Sequence, residues 1–409
     1  MSRPNRDFII DVLKEMISIP TVNPPGRDYE RFVKTAAKWL EAAGMETKIY
    51  RVPDEVVRKY YDWAGGWPRY VLIARKCSGE GPTLHLSGHY DVVPPGEGWS
   101  VTDPFTPKVV DGRLYGRGAV DMKGGLAAIV GAVKALAESG WPIKGCVEVS
   151  MVPDEETGGE TGTKWMLDEG LVRPDYAVVT EPSSVSNIWH GNKGNLWFRF
   201  VVEGKQAHAS SPWEGLNAFE GAVLLAKMVM DEYKPLVESK VSRFDYGDPR
   251  AARGIATMGG EVRCGDKINI LPGKCSFSVD RRLIIEESVE EAIKEVEEFL
   301  RRARERLEPL GYRVRVEYVS WSEPAYTDPD SELINALAEA VEEVVGVRPS
   351  KTVCAGGLDT RYFMGAGVEA ATYGPGPLDL AHQVDEYVNI DDVVKVSEVL
   401  IRLAGKLLS

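Results

Sequence analysis

Three consecutive acids, Asp154, Glu155 and Glu156, follow an apolar, strand-like run in the segment "CVEVSMVPDEETGGE". Adjacent carboxylates repel one another, and a bound cation relieves that repulsion. The acids therefore form either a solvated turn or part of a cation site. For Asp154, a solvated or hydrogen-bonding role is expected.

Two of the five histidines lie in a context that favours cation binding. His89 is in "SGHYDVVP", at the end of a predicted strand, and Asp91 follows two residues later. A metal-bound imidazole usually donates its second N–H to a carboxylate or a carbonyl, so Asp91 is expected to accept that bond or to restrain a nearby ligand. His382 is in "AHQVDEYV", after the Gly- and Pro-rich turn "YGPGPLDL", where a loop can bring a side chain over the edge of a sheet.

The other histidines have less support as ligands. His85 alternates with Ser87 and His89 along one strand, so the three side chains share a face, and a structural role is expected for His85. A structural role is also expected for His190. His208 lies in "GKQAHASSPWEGLNAF".

Asp121, in "GRGAVDMKGG", is a further candidate ligand. Gly116 and Gly118 have the first two spacings of a dinucleotide fingerprint, but Asp121 occupies the third glycine position, where an acid would oppose a pyrophosphate. Two interpretations remain. Asp121 faces a cation, which the surrounding glycines favour, or it caps the helix that follows.

The composition is typical of a globular chain with a small-molecule substrate. The 409 residues are 44% hydrophobic, which suits two or three packed domains. A formal charge of -13 disfavours binding to nucleic acid and to anionic membranes. The sequence contains neither a signal-peptide pattern at its start nor an apolar run long enough to span a bilayer.

The five cysteines are scattered and form no CxxC pair. Neither a disulfide framework nor a thiolate zinc site is therefore predicted, and a reducing cytoplasm is the simpler setting. The cysteines are Cys77, Cys146, Cys264, Cys275 and Cys354.

Short β-branched runs alternate with helical patterns, as in an α/β domain with a mostly parallel sheet. Each of the strands "TLHLSGH", "CVEVSMV" and "YAVVTE" ends in, or is followed at once by, a residue able to bind metal or to do acid/base work. Ligands of open α/β sheets collect outside the carboxyl ends of the strands, so these ends are expected to converge on one pocket. The last of them contributes Glu181.

Residues 191–320 have a different pattern, β-α-β-β-α-β, which predicts a compact ferredoxin-like α+β domain. Strand and helix alternation resumes after it. The sequence thus predicts a first domain in two parts, residues 1–190 and 321–409, interrupted by the inserted domain at 191–320.

The motifs "SGHYDVVP", "GRGAVDMKGG", "DEETGG", "TEPS" and "AHQVDEYV" together carry a resemblance to the metallopeptidase family M20. That family includes acetylornithine deacetylases, succinyl-diaminopimelate desuccinylases, aminoacylases and glutamate carboxypeptidases. The similarity runs from "SIPTVNPPG" to the last helix. It implies a zinc-peptidase-like catalytic domain interrupted by a lid and dimerisation domain.

The resemblance also implies residue roles around two Zn²⁺ ions, for which Co²⁺ or Mn²⁺ could substitute. Asp121 would bridge the two ions, and Asp91 would be the acid that supports the ligands. Glu155 would be the general base that activates water, so that no serine or cysteine nucleophile is needed. The first ion would be bound by His89, Asp121 and Glu181, and the second by His382, Asp121 and Glu156.

Further residues are implied for the substrate. His208 resembles the lid histidine that stabilises the oxyanion, often across a homodimer. Asn269 resembles a lid asparagine near the substrate, and Arg361, in "CAGGLDTRYF", resembles an arginine that binds its carboxylate. Gly357 is expected to shape the same loop by close backbone approach.

The leading hypothesis is a metal-dependent amidohydrolase that cleaves the amide of an N-acyl amino acid, as acetylornithine deacetylases and succinyl-diaminopimelate desuccinylases do. A carboxypeptidase or dipeptidase acting on short peptides is the alternative within the family. A protein that binds metal or an amino acid without catalysis is a second class, which the presence of Glu155 disfavours. A structural scaffold is a third.

Overall fold

The structure, a computed structural model, describes residues 3–409 and shows two compact units. Unit 1 contains the residues up to 190 together with 327–351 and 358–409. Unit 2 contains residues 191–326 and 352–357. The α-helices are α1 (Arg6–Ile17), α2 (Tyr29–Ala42), α3 (Asp54–Tyr60), α4 (Gly124–Glu138), α5 (Trp165–Asp168), α6 (Ala218–Met228), α7 (Lys234–Glu238), α8 (Val289–Leu307), α9 (Glu332–Val345), α10 (Thr360–Gly365) and α11 (Ile390–Leu407).

The sheets of the two units are formed by the following β-strands. They are β1 (Glu46–Arg51), β2 (Tyr70–Ser78), β3 (Thr83–His89), β4 (Lys108–Val110), β5 (Arg113–Tyr115), β6 (Gly145–Val152), β7 (Tyr176–Val179), β8 (Asn187–Asn192), β9 (Gly194–Glu203), β10 (Ala207–His208), β11 (Ile255–Cys264), β12 (Ile270–Leu271), β13 (Lys274–Leu283), β14 (Arg313–Ser322), β15 (Ala325–Tyr326), β16 (Ser350–Cys354), β17 (Glu369–Thr372) and β18 (Tyr387–Asn389).

The main sheet of unit 1 has the order β1-β2-β6-β3-β7-β17. Its central strands β6, β3, β7 and β17 are parallel, whereas β1 and β2 extend it in antiparallel fashion. The mixed α/β fold is therefore confirmed, with a parallel centre. Every residue of β3 and β6 is buried, as expected for central strands covered on both faces.

Successive side chains along the strands of this sheet point to opposite faces and so pack into two separate hydrophobic cores. On β2, Leu72 and Ala74 point into the core that contains α1, α4 and α11, whereas Val71 and Ile73 point into the core on the opposite face. Helix α4 is apolar on nearly all sides and lies inside the first core. The sheet is thus held from both faces, which makes its strand ends a rigid platform.

Unit 2 has a four-stranded antiparallel sheet with the order β11-β13-β9-β14. Its chain order of strands and long helices is β9, α6, β11, β13, α8 and β14, the β-α-β-β-α-β arrangement of a ferredoxin-like fold. Helix α8 begins with a capping box, in which the Ser288 side chain and the Glu291 side chain each accept the other residue's backbone N–H at 3.2 Å. The buried stripe of α8 packs on the sheet.

The prediction that the cysteines form no disulfide framework is wrong. Cys77 pairs with Cys146 across β2 and β6, and Cys264 pairs with Cys275 across β11 and β13. Both pairs are directly opposite residues of neighbouring strands. Their sequence separations, 69 and 11 residues, do not reveal this, because strand pairing is decided by the fold. The cysteines therefore give no support for a reducing cytoplasm, which stays a prediction.

Among residues 3–409, no helix combines the length and the apolar composition needed to cross a bilayer.

Candidate metal centre

The centre of unit 1 collects side chains from the carboxyl ends of three adjacent parallel strands. β3 ends at His89, β6 is followed by Glu155 and Glu156, and β7 is followed by Glu181. Because β6, β3 and β7 are neighbours and run in one direction, these ends lie at the same edge of the sheet. The prediction that these strand ends converge is confirmed.

His89 lies at the centre of a first group of side chains, which also contains Asp121 and Glu181. Its Nε2 lies 3.1 Å from Oδ1 of Asp121 and 3.4 Å from Oε1 of Glu181. Its Nδ1 lies 3.0 Å from the backbone carbonyl oxygen of Asp91 and 3.5 Å from the Asp91 carboxylate. The Nδ1–H therefore donates to Asp91, which leaves Nε2 to face the carboxylates.

His382 is the middle of the second group. Its Nε2 lies 3.1 Å from the Glu156 carboxylate and 3.3 Å from Oδ2 of Asp121. Asp121 thus turns one oxygen to His89 and the other to His382, which is the arrangement of a carboxylate that bridges two cations. His382 is half exposed, whereas the first group is buried.

The alternative that Asp121 caps a helix is wrong. Helix α4 begins at Gly124, three residues later, and Lys123 occupies the capping position. Asp121 itself has extended backbone angles, φ -122° and ψ 95°, within an irregular turn at Ala119–Lys123. This turn directs the carboxylate of Asp121 to the histidines instead of to the N–H groups of the helix.

The donor set fits a pair of divalent cations. Two imidazoles and three carboxylates are the mixed N and O ligands that Zn²⁺ binds at catalytic sites. Burial, followed by the charge of neighbouring acids, raises the pKa of Glu181 to about 7 and also raises the pKa of Glu156. Oε1 of Glu181 is buried and accepts no hydrogen bond from the described residues. A bound cation would offset the burial and mutual repulsion of these carboxylates and would also give the Glu181 oxygen a partner.

Glu155 lies beside this donor set. Its carboxylate forms a cluster with His89 and Glu181 in which the candidate ligand atoms are all within 4.8 Å of one another. Burial and the charge of Glu181 raise the pKa of Glu155 well above its ordinary value. A carboxylate with a raised pKa is a stronger base, so Glu155 is suited to accept a proton.

Asp91 supports both glutamates through the backbone. Its two carboxylate oxygens accept the N–H groups of Glu155 and Glu156, each at 3.3 Å. The expectation that Asp91 restrains nearby ligands therefore agrees with its contacts.

Asp154 belongs to a buried polar network, so the solvated alternative for it is wrong and the hydrogen-bonding one is right. Its carboxylate is fully buried and pairs with Nε of Arg69 at 2.8 Å. It also accepts hydrogen bonds from Asn23 and Tyr29, both at 3.0 Å, and from Thr161. Asn23 and Arg69 were not among the residues predicted from the sequence. Asn23 lies in the motif "SIPTVNPPG", whereas no pattern indicates Arg69.

A second buried ion pair, Arg117 with Glu386, was also missed. Glu386 accepts the N–H groups of Val120 at 2.9 Å and of Asp121 at 3.2 Å, and Arg117 donates to the carbonyl oxygen of His382 at 3.3 Å. The pair therefore holds the backbone of Asp121 and of His382 together. Both partners stand inside quoted motifs, "GRGAVDMKGG" and "AHQVDEYV", and that position was the available signal.

His85 and His190 have the contacts of structural residues. The ring nitrogens of His85 contact Glu148 at 2.9 Å and Ser150 at 2.7 Å, beneath the donor set. Nδ1 of His190 is 2.9 Å from the carbonyl oxygen of Thr327.

Arg361 lies in unit 1. Burial lowers the pKa of its guanidinium, but the charges of Tyr362, Asp359 and Glu155 outweigh this effect and raise that pKa above its ordinary value. It donates to the carbonyl oxygen of Gly158 at 2.6 Å, and its buried Nε has no acceptor within the described part of the chain. Asp359, which was not predicted from the sequence, is buried and accepts a hydrogen bond from the Thr163 hydroxyl at 2.6 Å. Burial raises the pKa of Asp359 to about 6.

The remaining candidates, His208, Asn269 and Gly357, lie in unit 2. His208 is opposite Ile270 in the short pair β10 and β12, and the carbonyl oxygen of Asn269 accepts the N–H of Ala209 at 3.0 Å. Nδ1 of His208 accepts the backbone N–H of Ser210 at 3.2 Å. The neutral ring therefore carries its proton on Nε2, and the exposed His208 has that N–H to donate.

Comparison with known proteins gives one family and a set of relatives. The sequence profile of Peptidase family M20/M25/M40 matches residues 85–406. A succinyl-diaminopimelate desuccinylase of Wolinella succinogenes is 30% identical over 407 residues, which cover 97% of this chain and 99% of that protein.

Solved structures share the fold. The aminopeptidase PepT of Bacillus cereus superposes with a TM-score of 0.76 at 19% identity, covering 99% of both chains. An M20 family metallo-carboxypeptidase of Sulfolobus solfataricus superposes with a TM-score of 0.76 at 18% identity, covering 98% of this chain and 99% of the other.

Proposed function

The chain belongs to peptidase family M20/M25/M40, and we propose that it is a two-zinc amidohydrolase that removes the acyl group of an N-acyl amino acid. The observation that carries the proposal is the position of Asp121. Its two oxygens face two different histidines at 3.1 Å and 3.3 Å, and each histidine has a further carboxylate beside it. His89, Asp121 and Glu181 would hold one ion, and His382, Asp121 and Glu156 would hold the other.

When bound, the ions supply Lewis-acid polarisation of the amide carbonyl and a water of lowered pKa. Glu155 takes a proton from the attacking water and transfers it to the nitrogen of the leaving amine. The position of its carboxylate in the cluster with His89 and Glu181 suits both steps, because the same group must first accept the proton and then release it. Asp91 keeps Glu155 in place through the backbone N–H.

The remaining residues bind and orient the substrate. His208 donates its Nε2–H to the oxyanion, a role supported by the hydrogen bond from Ser210 that leaves the proton on Nε2. Arg361 binds the substrate carboxylate, supported by its buried and unpartnered Nε among the described residues. Asn269 contributes to substrate binding from unit 2, and Gly357 shapes its own loop by close backbone approach.

The substrate class is an N-acyl amino acid, with an N-succinyl amino acid first among the candidates. The supporting observation is the relation over nearly the whole chain to a succinyl-diaminopimelate desuccinylase. Short peptides are the alternative substrates, because a dipeptide also presents an amide close to a carboxylate for Arg361 to bind.

The test is hydrolysis by zinc-loaded protein of a panel of N-succinyl amino acids, N-acetyl amino acids and dipeptides, with Glu155→Ala as the control. We expect the highest kcat/KM on an N-succinyl or N-acetyl amino acid and loss of turnover in the variant. Preference for dipeptides would replace the deacylase with a peptidase. If wild type binds metal and cleaves nothing on the panel, the enzyme proposal fails and a binding protein remains.

The proposal includes a homodimer formed through unit 2. Helix α6 exposes Phe219, Val223 and Leu224, with exposed fractions of 52%, 51% and 43%, and β11 is an edge strand that exposes Val262. An unpaired edge strand and an apolar helix face in the same unit suit pairing with a second copy. We expect a dimeric mass in solution at micromolar concentration and a monomeric mass for Val223→Asp. A monomeric wild type would contradict this part.

A further inference from the structure

The side-chain amide of Asn23 joins two buried carboxylates beneath the candidate metal centre. Its Nδ2 lies 2.9 Å from Oδ2 of Asp91 and 3.0 Å from Oδ1 of Asp154, and it also lies 3.1 Å from Oγ1 of Thr157. Asn23 and the two acids are buried, with exposed fractions of 1% or less. Asn23 comes from the loop before α2, whereas the two acids follow β3 and β6, so the amide links three separate segments.

The orientation of this amide follows from its partners. The Asp91 oxygen also accepts the N–H of Glu156, and the Asp154 oxygen also accepts the hydroxyl of Tyr29, so both oxygens act as acceptors and the amide turns its NH₂ group to them. Its Oδ1 is then buried and has no donor within residues 3–409. A buried polar atom left without a partner is costly, so the contacts of the NH₂ group must outweigh that cost.

Arg69 holds the far side of the same network. Its Nε donates to the second oxygen of Asp154 at 2.8 Å, and its Nη1 donates to the carbonyl oxygens of Pro25 and Trp67 at 2.9 Å and 2.6 Å. Asp154 is therefore fixed from both sides, by Arg69 at one oxygen and by Asn23 at the other. The amide transmits that fixed position to Asp91.

Asp91 in turn sets the position of two functional side chains. The oxygen that receives Asn23 also accepts the N–H of Glu156, and the other oxygen accepts the N–H of Glu155. A tilt of the Asp91 carboxylate would displace both N–H groups, and small displacements at a reacting group reduce rates strongly.

We propose that Asn23 is a positioning residue, whose amide locks Asp91 to the Arg69–Asp154 ion pair and thereby keeps Glu155 and Glu156 in register with each other. This inference rests on the proposed function, in which Glu156 binds metal and Glu155 moves the proton. A merely structural role would stabilise the fold without affecting metal affinity or kcat.

The experiment compares Asn23→Ala with Tyr29→Phe. Tyr29 donates to the same oxygen of Asp154 at 3.0 Å, so Tyr29→Phe also removes one buried hydrogen bond from that acid, but it leaves the link to Asp91 intact. For each protein the Zn²⁺ affinity of the metal-free form is measured by competition with a chelator, together with kcat, KM and the melting temperature. The absorption spectrum of the Co²⁺-loaded protein reports the coordination geometry.

We expect Asn23→Ala to weaken Zn²⁺ binding about 10- to 100-fold and to lower kcat by a similar factor, with KM changed less than about threefold, because groups that support metal ligands have effects of this size. Tyr29→Phe should keep the wild-type affinity, kcat and Co²⁺ spectrum, whatever its melting temperature. If Asn23→Ala does not fold, Asn23→Ser, whose shorter side chain has one donor hydrogen, decides in its place.

Wild-type affinity and kcat in a folded Asn23 variant would overturn the proposal, and so would equal losses in Tyr29→Phe. Failure of the proposed function is a separate outcome, since wild type would then show no turnover. The Zn²⁺ affinities and Co²⁺ spectra would still decide the role of Asn23 in that case.

Discussion

Glu155 and Glu156 are bound through their backbone N–H groups to the two oxygens of a single carboxylate, that of Asp91, each at 3.3 Å. Their side chains nevertheless have different surroundings. Glu156 contacts His382 at 3.1 Å, whereas Glu155 lies in the cluster with His89 and Glu181. The turn that follows β6 therefore places two chemically identical groups in different surroundings.

Separate substitution of the two glutamates should divide metal binding from turnover. Glu156→Ala should lose one of the two Zn²⁺ ions, because it removes a ligand from the group around His382. Glu155→Ala should keep both ions and lower kcat about 10²- to 10⁴-fold, the range for loss of general acid–base catalysis. Metal per chain by atomic emission and kcat on the best substrate of the panel check this. Equal metal loss in both variants would contradict the division.

His89 and His85 provide a matched pair on one buried face of β3. His89→Asn should reduce the bound metal, since Nε2 of His89 faces Asp121 and Glu181. His85→Asn should retain two ions, because its ring contacts Glu148 and Ser150, and its effect should be confined to a lower melting temperature. Metal content after dialysis distinguishes them. If His85→Asn loses metal at a temperature where it is still folded, then the donor set includes His85 as well.

The two disulfides predict the number of reactive thiols. Denatured, unreduced protein should show one thiol per chain, that of Cys354, and reduced protein should show five. Cys77→Ser opens a link between residues 69 apart and should lower the free energy of unfolding by about 2–5 kcal/mol, because the cross-link restricts the unfolded chain. A thiol assay and denaturant unfolding are the measurements. Five thiols before reduction would refute the pairing.

Lys193 should make stability depend on alkaline pH. Burial lowers the pKa of Lys193 to about 8, so between about pH 8 and its ordinary value of 10.5 the unfolded chain binds more protons than the folded one. Stability from this group therefore increases as pH rises through that window, and the lysine is a cost at neutral pH. Lys193→Met removes the titration. Its stability relative to wild type, from denaturant unfolding, should be highest near pH 7 and should decline towards pH 10, and a constant difference would count against the assignment.

The strand ends and motifs indicated in advance which side chains to consider together. His89, Glu156 and Glu181 lie at the carboxyl ends of parallel strands. Adjacent parallel strands present these ends at one edge of the sheet, so the local sequence pattern was enough to predict the convergence. Asp121 was harder to assign, since a helix cap and a cation ligand have the same local sequence. Only the irregular turn before α4 decided against the cap.

Contacts between residues far apart in the chain could not be predicted from the sequence. Asn23 and Asp154 are 131 residues apart, and Arg69 is 85 residues from Asp154, so no spacing connects them. The pairing of Cys77 with Cys146 likewise depends on which strands are neighbours. The order of strands in a sheet depends on packing across the whole chain.

By itself, the sequence determined the alternation of strands and helices and the chemical types available at each strand end, because both depend on residues close together in the chain. The tertiary structure alone decided which distant side chains meet. It brought the amide of Asn23 between two acids, paired Arg117 with Glu386 behind Asp121, and placed four cysteines opposite one another. These contacts follow from strand order and loop packing, which balance burial against chain entropy over the whole fold.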